Sequence, residues 1–392
     1  MKIKSIILTG FVTSLILLQS SYAISQENVI RIGLLSPITG TYGIMSNHQI
    51  WSAEMAIKEI NAKGGVLGKQ LKLYVEDTQQ SPAVAATKAE KLILSDNVDF
   101  ILGPILSGEA LNVMKVCNKY KKVMIITIAE SAKITGSSCD RYTFRINQNA
   151  GMEARSITSW LIQDVGKKFY FIAMDFEWGR DSTMQVKKLV TEHKGEIVGE
   201  VYFPLGSKDL SPYFGKIVAA KPEILYATAA GNDAIQLVNQ VAEFGLKEKM
   251  KVASVGSMVS GDVLPAMGKN ADGILVADRY NTAIDTPENK IFVADFQKAY
   301  KDMPNKFSVS TYEGAYLIVQ AIEKARSMDP EKIIKALEGF NFKGPQGEKV
   351  IRPEDHQAIL DMYLQRCEGG KQVIVGKRKG PEVGGPVECK GF

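Results

Sequence analysis

The chain holds 392 residues, 45% of them hydrophobic and 23% charged, which excludes a mainly disordered or fibrous protein and calls for two domains. Lys and Arg number 48 against 43 Asp and Glu, a net +5, and no basic run precedes Lys377-Arg378-Lys379, so no nucleic-acid partner is expected. Three histidines leave little room for His-based metal chemistry, and neither a metal nor a cofactor is expected.

The first element is an export signal. Lys2 and Lys4 form a positive start, Ile6 to Leu18 is apolar, and Ser21-Tyr22-Ala23 supplies the small-x-small pattern for cleavage after Ala23, giving a signal over residues 1–23. The apolar stretch is short for a membrane span of about 20 residues. No cysteine lies near it to carry a lipid. The expected product is soluble and exported.

From Val29 onward short apolar runs alternate with amphipathic ones. Val29–Leu35 reads as a strand, and Ile50, Ala53, Ile57 and Ile60 mark a helix closed by Gly64-Gly65. Strand Leu71–Val75, helix Val84–Leu94, strand Val98–Leu102, a helix through Val116 and strand Val123–Ile128 follow. After Arg145 the pattern resumes with helix Ala150–Val165, strand Phe169–Met174, helix Ser182–His193 and strand Ile197–Tyr202. Strand Ile224–Thr228, helix Ala234–Phe244 and strand Lys251–Val255 come next. Such alternation predicts parallel sheets covered by helices on both faces. The units are too many for one sheet, so the expected architecture is α/β with two doubly wound lobes, first crossing near Arg145–Gln148. Thr311–Arg326 reads as a long helix, and Asp329-Pro330 starts another. Gly339–Gly347 reads as a connection, and the tail after Gly376 as mobile apart from Cys389.

Four cysteines, Cys117, Cys139, Cys367 and Cys389, suit an exported chain. Spacing leaves three connectivities open; local pairing, Cys117–Cys139 and Cys367–Cys389, is the simplest and is the expectation. No C-x-x-C supports a metal site.

No catalytic signature is present. Gly64 to Lys69 resembles a phosphate loop, but the spacing is one residue short and Gln70 replaces the hydroxyl residue. There is no G-x-S-x-G. His48, His193 and His356 are scattered, and His193 falls at a helix C-terminus. Position guides better, because doubly wound sheets bind ligands beyond the carboxyl ends of their strands. The loops there include Tyr42, Ser107-Gly108, Ala129-Glu130, Trp178, Ala230 and Gly256-Ser257. They carry hydroxyls, backbone donors and aromatics without a nucleophile–base pair, the composition of a binding cleft. Each has a bland alternative: Ser107 as a helix cap, Tyr42 and Trp178 as packing aromatics, Glu130 turned to solvent or paired with Lys133.

Asn61-Ala62-Lys63-Gly64-Gly65-Val66-Leu67-Gly68 with Glu76-Asp77, Phe100-Ile101-Leu102-Gly103-Pro104, Cys139 followed by Phe144-Arg145, and Trp178-Gly179 occur in a telling order. With them the chain resembles the periplasmic type I substrate-binding proteins of the Leu/Ile/Val-binding family, which serve ABC transporters. The resemblance runs from about Val29 to the C-terminal region. It implies two Rossmann-like lobes joined by three crossings, 28–147 with 280–344 and 148–279 with 345–392. It also implies a periplasmic, monomeric, non-enzymatic protein that closes on a small organic ligand, an amino acid or related nitrogenous compound, and docks to a permease. A ligand-binding sensor of the same fold is the alternative; a secreted hydrolase lacks its constellation.

By the same resemblance Ser107 holds a ligand carboxylate, the Ile128 carbonyl accepts from an ammonium, and Tyr42, Trp178 and Tyr312 cover the ligand. Two positions depart. Glu130 stands where amino-acid binders have threonine, and Gly256 or Ser257 where they have glutamate. A carboxylate beside a ligand carboxylate is repulsive, so the expectation shifts to a ligand that presents N–H donors or a positive charge to Glu130.

Overall fold

The computed structural model describes residues 28–392, so the export signal and its cleavage point lie outside the described residues. Five strands, β1 (Val29–Ser36), β2 (Gln70–Asp77), β3 (Phe100–Leu102), β4 (Val123–Ile126) and β5 (Thr143–Arg145), form a parallel sheet in the order β2-β1-β3-β4-β5. Strands β3 and β4 are buried throughout, as unbroken apolar runs covered on both faces should be. Helices α1 (Gly43–Ala62), α2 (Pro82–Leu94) and α3 (Ser107–Lys119) make the crossovers. The Ser81 hydroxyl accepts the Val84 amide at 3.4 Å and Pro82 fills the first position, which fixes the start of α2.

The second sheet is built by α4 (Ala150–Asp164), β6 (Lys168–Met174), α5 (Glu177–Glu192), β7 (Glu196–Phe203), α6 (Ser211–Ala219), β8 (Ile224–Thr228), α7 (Gly231–Glu243), β9 (Lys251–Val255), α8 (Leu264–Met267) and β10 (Leu275–Asp278). The chain then returns. From α10 (Lys306–Ala325, after α9, Pro287–Tyr300) and α11 (Pro330–Leu337), Leu317, Ile318, Ile333 and Leu337 enter the first core. A small antiparallel sheet, β11 (Asn341–Gly344), β12 (Gly347–Ile351) and β13 (Ala358–Leu360), leads into β14 (Met362–Glu368) and β15 (Lys371–Arg378). These two complete a seven-stranded sheet, β15-β14-β10-β9-β8-β6-β7, with β14 antiparallel to β10. Segment 345–392 is thus divided: Ile351, Ala358 and Leu360 pack in the first core, Leu364 and Cys367 in the second. Among the described residues no helix is long and apolar enough to cross a membrane.

Three expectations are corrected here. The tail is ordered: β15 reaches Arg378, α12 (Gly380–Val383) follows, and Arg155 donates to the Val383 and Gly384 carbonyls at 2.6 and 3.0 Å. Because the tail folds back on the first lobe, the disulfide is Cys139–Cys389, 250 positions apart. Cys117 and Cys367 are unpaired and buried in different cores, so neither local pair forms. Gly339–Gly347, expected as a plain connection, contains β11 and its turn into β12.

Candidate ligand-binding site

Loops at the carboxyl ends of strands from both sheets converge on one pocket. The first lobe supplies Tyr42, Met45, Ile105, Leu106, Ser107, Ile128 and Glu130; the second supplies Phe176, Trp178, Ala230 and Ser257; Phe307 enters from the start of α10. The empty space between these side chains is about 310 Å³, open mouth included. The lobes meet across it. Tyr42 is 1% exposed with its hydroxyl 3.9 Å from Met174 Sδ, and Asp181 accepts the Ala132 amide at 2.6 Å.

Glu130 does not turn to solvent. Its Oε1 lies 2.8 Å from Arg279 Nη1, 3.1 Å from Lys306 Nζ and 3.0 Å from Gln148 Nε2. Burial opposes its charge, but Lys306 and Arg279 outweigh burial and hold the carboxyl below its ordinary range. Its charge is therefore matched by protein cations, neither by Lys133, which pairs with Glu177 at 3.0 Å, nor by a requirement for a cationic ligand. Oε2 of the same carboxylate is buried and finds no partner among the described residues. Behind the cluster, Glu153 accepts the Gly256 amide at 2.6 Å; burial first, then the Glu130 charge, push it up to about 8.

The structure brings Tyr42, Ser107, Ile128, Glu130, Trp178, Ala230 and Ser257 together at this pocket. Gly108 and Ala129 adjoin lining residues without joining them. Gly256 has no room for a side chain, since a Cβ there would lie 2.3 Å from the Asp278 carboxylate. The Ile128 carbonyl already accepts from Asn147 Nδ2 at 3.1 Å. Tyr312 lies apart: its hydroxyl is 2.6 Å from Glu59 Oε2 and its ring packs on Phe292. Phe307, five positions earlier, reaches the pocket instead, and five residues turn a helix about 140° away. Sequence reasoning missed Met45, Ile105, Leu106, Phe176 and Phe307. All but Phe307 lie at or beside the strand-to-helix loops, where an apolar side chain carries no local signal that separates pocket lining from packing.

The residues preceding α1, α3, α5 and α7 are Tyr42, Leu106, Phe176 and Ala230, and none gives its helix a side-chain cap. All four line the pocket. Ser81, Asn149, Thr286, Asn305 and Asp329 do cap α2, α4, α9, α10 and α11. Four positive helix ends without a side-chain cap thus surround one small, largely apolar space. The first-turn acids are engaged elsewhere or partly neutral: Glu177 pairs with Lys133, Asp233 accepts the Gly206 amide at 3.0 Å, and burial pushes Glu109 up to about 7.

Residues 29–372 match the periplasmic binding protein family. The chain belongs to that family. It is 24% identical to the Leu/Ile/Val-binding protein homolog 6 of Brucella melitensis over 368 residues, 92% of each chain. A solute-binding protein of an ABC transporter from Rhodopseudomonas palustris BisB5, solved with 3,4-dihydroxybenzoic acid, superposes with a TM-score of 0.85 at 26% identity, over 90% of this chain and 98% of that one. Another from R. palustris, solved with benzoate, gives 0.83 at 25% identity, over 89% and 96%. Like its relatives, this periplasmic binding protein is a non-enzymatic substrate-binding component that hands a small ligand to an ABC transporter permease.

Proposed function

We propose that the ligand is a small aromatic carboxylate. The observation that carries this reading is the convergence of four uncapped helix N-termini on a pocket walled by Tyr42, Phe176, Trp178 and Phe307. Backbone amides at positive helix ends favour an anion, and the aromatic rings favour a flat apolar body. Ser107 adds a hydroxyl; its Oγ accepts the Ser131 amide at 3.1 Å, which leaves its proton for a carboxylate. An α-ammonium gains little charge attraction here, because Arg279 and Lys306 already neutralise Glu130. Proteins of the same fold solved with benzoate and dihydroxybenzoate support the class. In this reading the mature chain, cleaved after Ala23, acts as a periplasmic monomer, closes on the acid and presents it to the permease, without a nucleic-acid partner.

Titration calorimetry of the mature protein tests the class. Benzoate or a hydroxybenzoate binds saturably, and at 100 times its dissociation constant stabilises the fold by about 2.7 kcal/mol in a thermal shift. Binding of leucine, isoleucine or valine with no response to aromatic acids overturns the proposal.

A further inference from the structure

We infer that Glu130 makes this site selective for aromatic acids bearing a ring hydroxyl, which donates to Glu130 Oε2; the inference rests on the aromatic-acid reading above. The carboxylate is used unequally. Oε1 accepts from Arg279 Nη1 and Gln148 Nε2 and lies 3.1 Å from the Lys306 ammonium, while Oε2 is buried without a hydrogen-bond partner among the described residues, on a side chain that lines the pocket and is 3% exposed. A buried acceptor left unpaired is costly, and a charged one more so. A donor on a ligand in the pocket completes it. That donor has no need of a positive charge, since two protein cations already face the carboxylate.

A second buried group points to polar substituents as well. Trp178 Nε1 is a donor without a partner among the described residues, on another lining residue. An unsubstituted benzoate has acceptors for Trp178, Ser107 and the helix ends but nothing to give Glu130. A hydroxybenzoate has both. Sites built to pair a substrate hydroxyl discriminate well against the analogue lacking it, because the loss leaves a buried polar group unpaired.

The test is a ligand series on the wild-type protein: benzoate, 3-hydroxybenzoate, 4-hydroxybenzoate and the two matching methoxybenzoates, titrated by calorimetry. At least one hydroxylated acid should bind roughly ten- to a hundredfold tighter than benzoate, the range for a hydrogen bond to a charged group. Its methoxy partner, similar in shape but without the proton, should lose that gain. Glu130→Gln should narrow the hydroxyl-to-benzoate ratio, because the charge-assisted bond becomes a neutral one. That variant also leaves Arg279 and Lys306 short of an anion, so the wild-type series stands by itself if the variant does not fold. Equal affinity for benzoate and both hydroxylated acids, or a methoxy acid that keeps the gain, overturns the role of Glu130 and leaves the aromatic-acid class intact. No binding by any of the five acids overturns both.

Discussion

Arg145 and Glu130 are both buried charges at the carboxyl edge of the first sheet, and the chain treats them differently. Arg145, at the first crossing, is 0% exposed and has every arm engaged: Nε with Gln357 Oε1 at 2.7 Å, Nη1 with the Ser131 carbonyl at 2.7 Å, and Nη2 with Thr135 Oγ1. Gln357 in turn donates to the Asn147 and Ala358 carbonyls at 2.7 and 2.8 Å. The Lys349–Glu313 pair beneath is equally complete, with the Ile146 carbonyl and Gln346 filling the ammonium's shell. Glu130, one loop away, keeps an oxygen open, as Trp178 keeps its indole N–H, and four helix ends there lack a side-chain cap. A closed network holds the lobes' connection in one arrangement. An open one is stable only if something else completes it, which is what a ligand pocket requires.

The largest effect that separates the two regions is expected at Lys349. Lys349→Met leaves the fully buried Glu313 without its cation and should cost about 3–5 kcal/mol in urea unfolding. Ligand affinity of the folded fraction should survive. A stable variant with weakened binding would reverse the assignment of scaffold and site.

Proton linkage offers a second separation. Glu153 sits behind the pocket at about 8, so between its ordinary 4.5 and 8 the folded chain holds a proton that the unfolded chain has lost, and stability falls as pH rises. His356, stacked between Phe144 and Phe392, is pulled down to about 4 by burial. From 4 to 6.5 the unfolded chain holds the proton there, so stability rises with pH. Glu153→Gln should therefore steepen the rise between pH 4.5 and 6.5, where the two opposing linkages overlap, and make the decline from 6.5 to 8 shallower. Glu109, pushed up to about 7, keeps part of the decline. Thermal unfolding from pH 4 to 9 reads both limbs, and an unchanged alkaline slope would place the Glu153 proton elsewhere.

Removing the Cys139–Cys389 bond with Cys389→Ser should cost about 2–4 kcal/mol. In the native protein Cys117 and Cys367 should resist thiol reagents until denaturant is added, since burial pushes both thiols up, Cys367 to about 12. Non-reducing peptide mapping that finds Cys117 linked to Cys139 would refute the pairing. At the pocket, Ser107→Ala should weaken aromatic-acid binding about ten- to a hundredfold in calorimetry and alter stability less, for the one bond its hydroxyl makes among the described residues is to the Ser131 amide.

The fold was largely legible because its signal is periodic. Strands β8 and β9 fall at the residues expected, and most helices within a few, since apolar runs and capping residues such as Ser81 and Asp329 mark them locally. The pocket was half legible. Loops after strands located Tyr42, Ser107, Glu130 and Trp178, because topology fixes where such loops lead. What failed depends on distant partners. Glu130 meets Arg279 and Lys306, 149 and 176 positions on, and nothing in the local sequence announces them. Cys389 reaches Cys139 only because Arg155 and Arg352 hold the tail's carbonyls, so spacing misdirected the pairing. Tyr312 was placed by resemblance, and the phase of α10 turns it toward Glu59 instead.

The smallest effect is expected where the lobes touch outside the pocket. Glu177 reaches across to Lys133 Nζ at 3.0 Å and Ser131 Oγ at 3.3 Å, contacts that exist only when the lobes meet. The two charged side chains are 45% and 28% exposed, so water and salt screen the pair, and such pairs contribute about 0–1 kcal/mol. Glu177→Gln should thus weaken ligand binding by no more than about fivefold. The wild-type affinity should decline slightly as salt rises from 0.01 to 0.5 M, and the variant should show a flatter response. Asp181 shares the same helix turn but is buried on the Ala132 amide at 2.6 Å, so Asp181→Asn, which keeps an acceptor and loses the charge, should fall between Glu177→Gln and Ser107→Ala. If Glu177→Gln instead costs as much affinity as Ser107→Ala, the closed state is held by the rim of the lobes rather than by the open groups of the pocket. The contrast between Arg145 and Glu130 would then describe packing alone and not the way this protein takes its ligand.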